Sequence, residues 1–201
     1  ERGALLVNYI GHGGETGWAH EQILTVPTIQ GWTNITRLPI FMTATCEFSR
    51  YDDHDRTSAG EYVVLNPNGG GIALLTTTRL VYNSSNKKLN KIFHSLFYDK
   101  VNGAPQRIGD VYLKTKQLFA SNGGGDVNYR KFALLGDPAV KIALPQYGVQ
   151  TDSLNGVDIN SAIDTLKALS AITISGHIVD ENDNPIPNFN GTIYPIVYDK
   201  V

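Results

Sequence analysis

The sequence has little of several residue types, with one cysteine, one methionine and two tryptophans in 201 residues. A single cysteine excludes an internal disulfide and a zinc site made of cysteine pairs, and leaves the redox compartment open. The formal charge is -2, so the positive excess typical of nucleic-acid binding is missing. No apolar run reaches the roughly 18 residues that a membrane-spanning helix needs. What remains, 41% hydrophobic and 18% charged residues, is an ordinary globular composition.

Short apolar runs at 4–10, 39–46 and 71–78 are typical of buried strands in a parallel sheet. Helical patterns separate or follow them near 27–32, 57–65, 85–97 and 108–119, with Ser85 or Asn86 as the expected cap of the third helix. A further apolar stretch at 132–145 is expected to complete the sheet. The alternation predicts an α/β domain with a mostly parallel sheet flanked by helices.

The pattern of polar and apolar residues along the chain predicts three regions. Residues 1–145 form the α/β domain, 146–169 a polar linker, and 170–201 the start of an immunoglobulin-like β-sandwich. The alternating patterns near 171–180 and 191–199 carry the last prediction. Because strand-like patterns stand at both ends, we expect a fragment that lacks the N-terminal part of the first domain and the rest of the second.

Two chemically reactive residues follow predicted strands: His12 in NYIGHGG and Cys46 in TATCEF. Sites of open parallel sheets form beyond the carboxyl ends of the strands, and the spacing of 34 positions from His12 to Cys46 leaves room for one helical crossover. A thiol near pKa 8.5 needs a neighbouring base to attack efficiently, and His12 can be that base and later protonate the leaving amine. The N–H groups of Gly13 and Cys46 are candidate oxyanion donors.

Each residue taken alone has a simpler interpretation. Free cysteine is often just a buried packing residue. A histidine among glycines can be there because the turn tolerates it. The shared position at the strand ends and the spacing favour the catalytic pair.

The segments GHGGETGW, TATCEFSRYDD and LGDPAVKI resemble the gingipain-like cysteine peptidases, which have a caspase-like fold. Within that family, TATCEFSR, the stretch from RTSAGEYVV to TTTRLVY and LGDPAVKIALP are most similar to the PorU-type sortases of the type IX secretion system of Bacteroidetes. The resemblance covers about 4–145 and has several separate motifs in one order.

The resemblance implies that His12 is the catalytic histidine, Cys46 the nucleophile and Gly13 an oxyanion donor. It implies a surface enzyme that removes the C-terminal secretion domain of exported cargo through a thioester and passes the cargo to a lipopolysaccharide amine. Its partners would be that cargo, the acceptor and other secretion components at the outer face of the outer membrane. A third catalytic residue is expected before Glu1. A hydrolysing secreted endopeptidase and an idle cargo-binding scaffold are the alternatives.

Several neighbouring residues are candidate substrate contacts. Glu15 and Trp18 follow the histidine turn, where they could orient His12 or wall the cleft, and Glu47 follows the nucleophile. The loop TTTRLVYNSS contributes the remaining candidates, which are Thr77, Thr78, Arg79 and Tyr82. Because this loop has no carboxylate, it disfavours a basic substrate side chain.

The cysteine chemistry requires no cofactor, and no metal is expected at the catalytic site. YDDHD (51–55) could bind calcium through carboxylate oxygens. Its spacing is not that of an EF-hand, and a solvated acidic loop is the preferred interpretation. NPNGGG and SNGGGD lack the lysine and hydroxyl that follow a phosphate-binding loop, so both are expected to be turns.

Overall fold

The computed structural model describes residues 3–123, 127–161 and 169–196. The chain divides into two compact units, Glu1–Leu144 and Pro145–Val201. The strands of the first unit are β1 Leu6–Ile10, β2 Gly13–Gly14, β3 Gly17–Trp18, β4 Leu24–Thr25, β5 Ile40–Ala44, β6 Ala73–Thr77, β7 Lys100–Val101, β8 Ala104–Pro105 and β9 Phe132–Gly136. Its helices are α1 Val26–Gln30, α2 Ala59–Leu65, α3 Asn83–Phe97 and α4 Ile108–Ser121, and a short 3₁₀ helix spans Asn128–Lys131.

The main sheet has the strand order β1-β5-β6-β9. β1, β5 and β6 are parallel, as their apolar runs predict, while β9 pairs with β6 antiparallel. The prediction of a mainly parallel sheet with flanking helices is therefore confirmed. β9 runs in the other direction at the edge of the sheet, and an apolar run alone does not specify strand direction.

The two faces of this sheet bury separate apolar clusters, because side chains alternate along each strand. Met42 and Leu75 pack with residues of α3 and α4. Phe41 and Leu74 pack on the other face with residues of α1 and α2. The result is three layers, with the sheet fully covered at its centre.

Two helix starts show how well local sequence predicts a cap. Ser58 begins α2 with a capping box in which its N–H donates to the Glu61 carboxylate at 2.8 Å. The predicted cap of α3 at Ser85 or Asn86 is wrong, because α3 begins at Asn83 after Tyr82, which provides no side-chain cap. Asn86 is instead buried, and its side chain bonds to the Ala44 carbonyl at the end of β5.

The second unit contains β10 Gly148–Leu154, β11 Val157–Asp158 and β12 Ile174–Val179 in one antiparallel sheet. The predicted linker at 146–169 is thus wrong for its first part, because β10 pairs with β12 along most of its length. The immunoglobulin-like sandwich stays a prediction. Residues 191–196 have no regular strand, and 197–201 lie outside the described residues.

Candidate active site

The register of two neighbouring strands brings His12 and Cys46 to one edge of the sheet. Ile10 of β1 pairs with Ala44 of β5, and each reactive residue stands two positions beyond its paired residue. The Gly11 N–H also donates to the Ala44 carbonyl at 3.4 Å, which extends the contact past the end of β1. Since both strands run in the same direction, both loops leave at their carboxyl ends, where sites of such sheets form.

His12 and Cys46 line the same cavity, which has a volume of about 440 Å³. Cys46 is half-buried and His12 is exposed. The Cys46 thiol donates to the Val81 carbonyl, with 3.7 Å between Sγ and oxygen. Both residues thus border one space, and their action as a catalytic pair stays a prediction.

The turn that carries His12 is held by contacts to its backbone. The His12 carbonyl accepts bonds from the Ala19 N–H at 2.8 Å and from the Tyr9 hydroxyl at 2.7 Å. The Tyr9 ring stacks on Trp18 with 4.4 Å between ring centroids. Trp18 is only 7% exposed, so it packs beneath the turn and does not wall the His12 cavity as the sequence suggested.

Gly13 fits the role of a backbone donor. It pairs with Trp18, and the next pair along the two strands, His12 with Ala19, is joined by a backbone hydrogen bond. Because hydrogen-bonded and non-hydrogen-bonded pairs alternate in an antiparallel ladder, the pair of Gly13 with Trp18 is not hydrogen-bonded. The Gly13 N–H therefore points away from β3. A Cβ at Gly13 would lie 2.5 Å from the Thr45 hydroxyl oxygen, so only glycine lets the two catalytic turns approach this closely.

The turn after Cys46 is fixed by β6 and the residues that follow it. The Glu47 N–H donates to the Arg79 carbonyl at 3.3 Å, and the Thr77 hydroxyl donates to the Thr45 carbonyl. Glu47 has a φ of 50°, an uncommon left-handed conformation that such bonds maintain. Thr77 is completely buried, so the structure corrects its assignment as a substrate contact: it supports the nucleophile's turn.

The other residues predicted from the TTTRLVYNSS loop lie at or near the surface. The Thr78 N–H and hydroxyl both bond to the Lys131 carbonyl. Arg79 forms a two-pronged bond to Asp52, which lowers the pKa of the Asp52 carboxyl. Tyr82 is 67% exposed. The sequence interpretation overlooked Asp52, a carboxylate beside this loop that Arg79 neutralises.

Glu15 links the turn that carries His12 to the segment that follows Cys46. Its carboxylate lies 3.2 Å from the Arg50 guanidinium and 3.6 Å from that of Arg56, and its side chain is 13% exposed. Arg50 follows the nucleophile by four residues, so the ion pair joins the histidine turn to the cysteine turn. Glu47 lies 4.0 Å from the same Arg50 and is more exposed. Glu15 therefore contacts the second turn, and its carboxylate pairs with arginine.

Sequence reasoning missed the part of α3 that lines the catalytic cavity. Asn83, Asn86 and Lys87 all face this space. The Asn86 amide donates to the Ala44 carbonyl at 3.3 Å and accepts a bond from the Asn128 amide at 3.1 Å. The available signal was an asparagine in the first turns of an amphipathic helix, which was interpreted as a cap.

The acidic loop at 51–55 places ligand atoms of Asp53, His54 and Asp55 within 4.8 Å of one another. Asp55 donates its N–H to Asp53 at 2.9 Å, as in a surface turn. His54 and Asp55 are exposed, and such acidic groups commonly occur without an ion. The arrangement adds no support to the calcium alternative.

The arrangement is suited to nucleophilic attack on a carbonyl carbon. A thiol and an imidazole line one cavity, and the Gly13 N–H follows the imidazole in the chain; a thiol, a base and a backbone donor are the components that acyl transfer through a cysteine requires. The comparisons agree with this chemistry, since the model of peptidase family C25 matches residues 1–143. The chain belongs to peptidase family C25. It is thus a member of the gingipain-like family of cysteine peptidases.

Two solved structures of gingipain RgpB show the same fold. The crystal structure of the Arg-specific cysteine proteinase gingipain R (RgpB) superposes with a TM-score of 0.62 at 19% identity, covering 74% of this chain and 36% of that one. The complex of Porphyromonas gingivalis RgpB pro- and mature domains gives 0.61 at 18% identity, covering 74% and 37%. Dimeric latent PorU from Porphyromonas gingivalis is 27% identical, covers 59% of this chain and 11% of that one, and has a TM-score of 0.35.

This chain therefore spans little more than a third of the two gingipain structures. No protein with a curated description matches it. Among the described helices, none is long and apolar enough to cross a bilayer.

Proposed function

We propose that this chain carries the His12–Cys46 pair of a cysteine peptidase that acts as a PorU-type sortase. The observation that supports the peptidase chemistry is the convergence of both residues on one cavity at the ends of β1 and β5. The sortase role is supported by the motifs TATCEFSR, TTTRLVY and LGDPAVKIALP, which resemble PorU-type proteins.

The steps of acyl transfer fit the placement of the residues. His12 takes the proton of the Cys46 thiol, and sulfur attacks the scissile carbonyl. The Gly13 N–H is free of the β2–β3 ladder and can stabilise the resulting oxyanion. Collapse breaks the C–N bond, His12 protonates the departing amine, and a Cys46 thioester remains. An amine acceptor then replaces sulfur at the acyl carbon and gives an amide, whereas water gives a free acid.

The substrate of this reaction would be exported cargo with a C-terminal secretion domain. The acceptor would be an amine of a surface lipopolysaccharide, and the enzyme would act at the outer face of the bacterial outer membrane beside other type IX secretion components. These partners follow from the resemblance. A third catalytic residue contributed by a preceding segment belongs to the same proposal.

The test uses the complete protein, a cargo with its C-terminal secretion domain, and an amine acceptor. Intact mass of the trimmed cargo is the readout, and the Cys46→Ala variant is the control. Added acceptor mass that depends on Cys46 is the expected result. A free carboxyl terminus would instead identify a hydrolysing endopeptidase, and uncut cargo in both proteins would favour a binding scaffold.

A second measurement tests the pair itself. Alkylation of Cys46 by iodoacetamide should slow at least tenfold in His12→Ala, since an unassisted thiol is only a few per cent thiolate at neutral pH. Because the chain has one cysteine, the adduct mass reports this site alone. Equal alkylation rates in both proteins would contradict a functional pair.

A further inference from the structure

A second cavity, of about 310 Å³, is lined by Thr78 and Arg79, which precede Val81 of the His12–Cys46 cavity in the same segment. Residues 79–81 connect the two spaces through their carbonyl groups. The Val81 carbonyl accepts a hydrogen bond from the Cys46 thiol. The Leu80 carbonyl accepts one from the Lys131 ammonium, with 2.8 Å between Nζ and oxygen. Lys131 lines the second cavity. The neighbouring residues Leu80 and Val81 therefore contact a residue of the second cavity and the Cys46 thiol, respectively.

The second cavity carries an excess of positive charge. Of the described residues that line it, Arg79, Arg130 and Lys131 are cations and Asp52 is an anion, so three cations minus one anion leave a net +2 among them. Asp52 is already paired with Arg79. Of the described residues that line the cavity, no other is a carboxylate, and Arg130 and Lys131 remain without an acidic partner there.

Both of these cations keep hydrogen-bond donors to spare. Lys131 has three N–H donors, one of which bonds to Leu80, and its ammonium lies 5.4 Å from the Tyr82 ring centre. Arg130 bonds to the Tyr129 hydroxyl through Nε at 3.4 Å, which leaves its terminal nitrogens available. Arg130 is exposed and the bond from Lys131 to Leu80 is also exposed, so charge-assisted bonds formed here would weaken as salt is raised.

We propose that this cavity is a substrate subsite that binds the carboxylate of a Glu or Asp side chain near the scissile bond. The inference rests on the proposed peptidase function and names a specificity for it. A carboxylate would accept bonds from Arg130 and Lys131 while the Arg79–Asp52 pair stays intact. A basic side chain at this subsite would meet two unpaired cations and be disfavoured.

The test measures binding, so that it does not depend on turnover. The full-length Cys46→Ala protein is titrated with fluorescent octapeptides in a positional set, where each position in turn carries Glu or Gln. Anisotropy gives the dissociation constant of each pair. We expect Glu to bind about tenfold more tightly than Gln at one position, and this advantage to shrink as salt is raised.

The variant Arg130→Gln/Lys131→Met should abolish the preference for Glu. Its matched control is Arg107→Gln/Lys141→Met, which removes the same two charges from exposed positions on other elements and should keep the preference. Equal binding of Glu and Gln peptides at every position, an absence of peptide binding, or equal loss in both double variants would overturn the subsite. Cleavage of cargo is measured separately with the protein that retains Cys46. Failure of the sortase proposal is therefore distinguishable from failure of the subsite proposal.

Discussion

Asn86 provides the clearest test of how α3 supports the nucleophile. The side chain is 4% exposed and bonds both to the Ala44 carbonyl at the end of β5 and to the buried Asn128 amide. Asn86→Leu keeps a similar volume but removes both bonds. The net contribution of a typical hydrogen bond is about 0.5–1.5 kcal/mol, so the loss of two predicts a fall of at least about 1–3 kcal/mol in the free energy of unfolding.

For a chain of this length, 1 kcal/mol corresponds to about 2–4 °C in the melting temperature, so the midpoint should fall by about 2–12 °C. Differential scanning fluorimetry measures it. A double-mutant cycle with Asn128→Leu should give a coupling energy of about 0.5–1.5 kcal/mol, since the double variant removes both partners of one bond.

The matched control for this prediction lies one turn further along α3. Asn90→Leu makes the same chemical change, but its partner Asn8 is exposed and can bond to water instead. We expect a smaller fall in melting temperature and an unchanged rate of Cys46 alkylation in Asn90→Leu. If Asn86→Leu melted no lower than Asn90→Leu, the reasoning that Asn86 anchors β5 would be refuted.

Three further predictions concern the turns and the core. Gly17→Ala places a Cβ 2.0 Å from a β4 carbonyl oxygen at a φ of 150°, so it should reduce peptidase activity at least tenfold, whereas Gly14→Ala, with open space around its Cβ, should keep most activity. Phe93→Ala removes a fully buried ring and should lower the free energy of unfolding by about 3–5 kcal/mol in a urea titration. The bond from Arg79 lowers the pKa of Asp52, so the folded carboxyl binds its proton less tightly than the unfolded one. Its stabilising effect is present above the unfolded pKa of about 3.9 and is lost as pH falls through the folded value, and an NMR titration should show the midpoint rising in Arg79→Gln.

Strand and helix positions in the first unit were predictable because burial leaves a strong periodic signal. The apolar runs that became β5 and β6 are buried on both faces in the sheet centre, an environment in which nearly continuous apolar runs are typical, whereas β1 at the edge is only partly buried. Strand direction is a different property. The apolar sequence of β9 resembles that of its neighbours, yet β9 pairs antiparallel with β6. Strand direction depends on the path of the connecting chain, which the apolar pattern does not describe.

The polar residues of the site were harder to predict, because a polar side chain has the same sequence signature whether it contacts a substrate or the protein. Thr77 precedes a surface loop, yet its side chain is buried against the nucleophile's turn. Trp18 stacks on Tyr9, and Glu15 pairs with Arg50. Each residue is separated from its partner by a turn or by a long stretch of sequence, so the contact cannot be recognised from the local pattern.

His12 and Cys46 were predictable for a geometrical reason. The pairing of Ile10 with Ala44 fixes where β1 and β5 end relative to each other, and a shift of register would carry one reactive residue away from the other. Two residues beyond that pair, each chain must turn, and glycine at 13 allows the turns to approach within contact distance. The placement of His12 relative to Cys46 therefore depends on the register of β1 and β5, and core substitutions in β5 should affect reactivity of Cys46 before they unfold the protein.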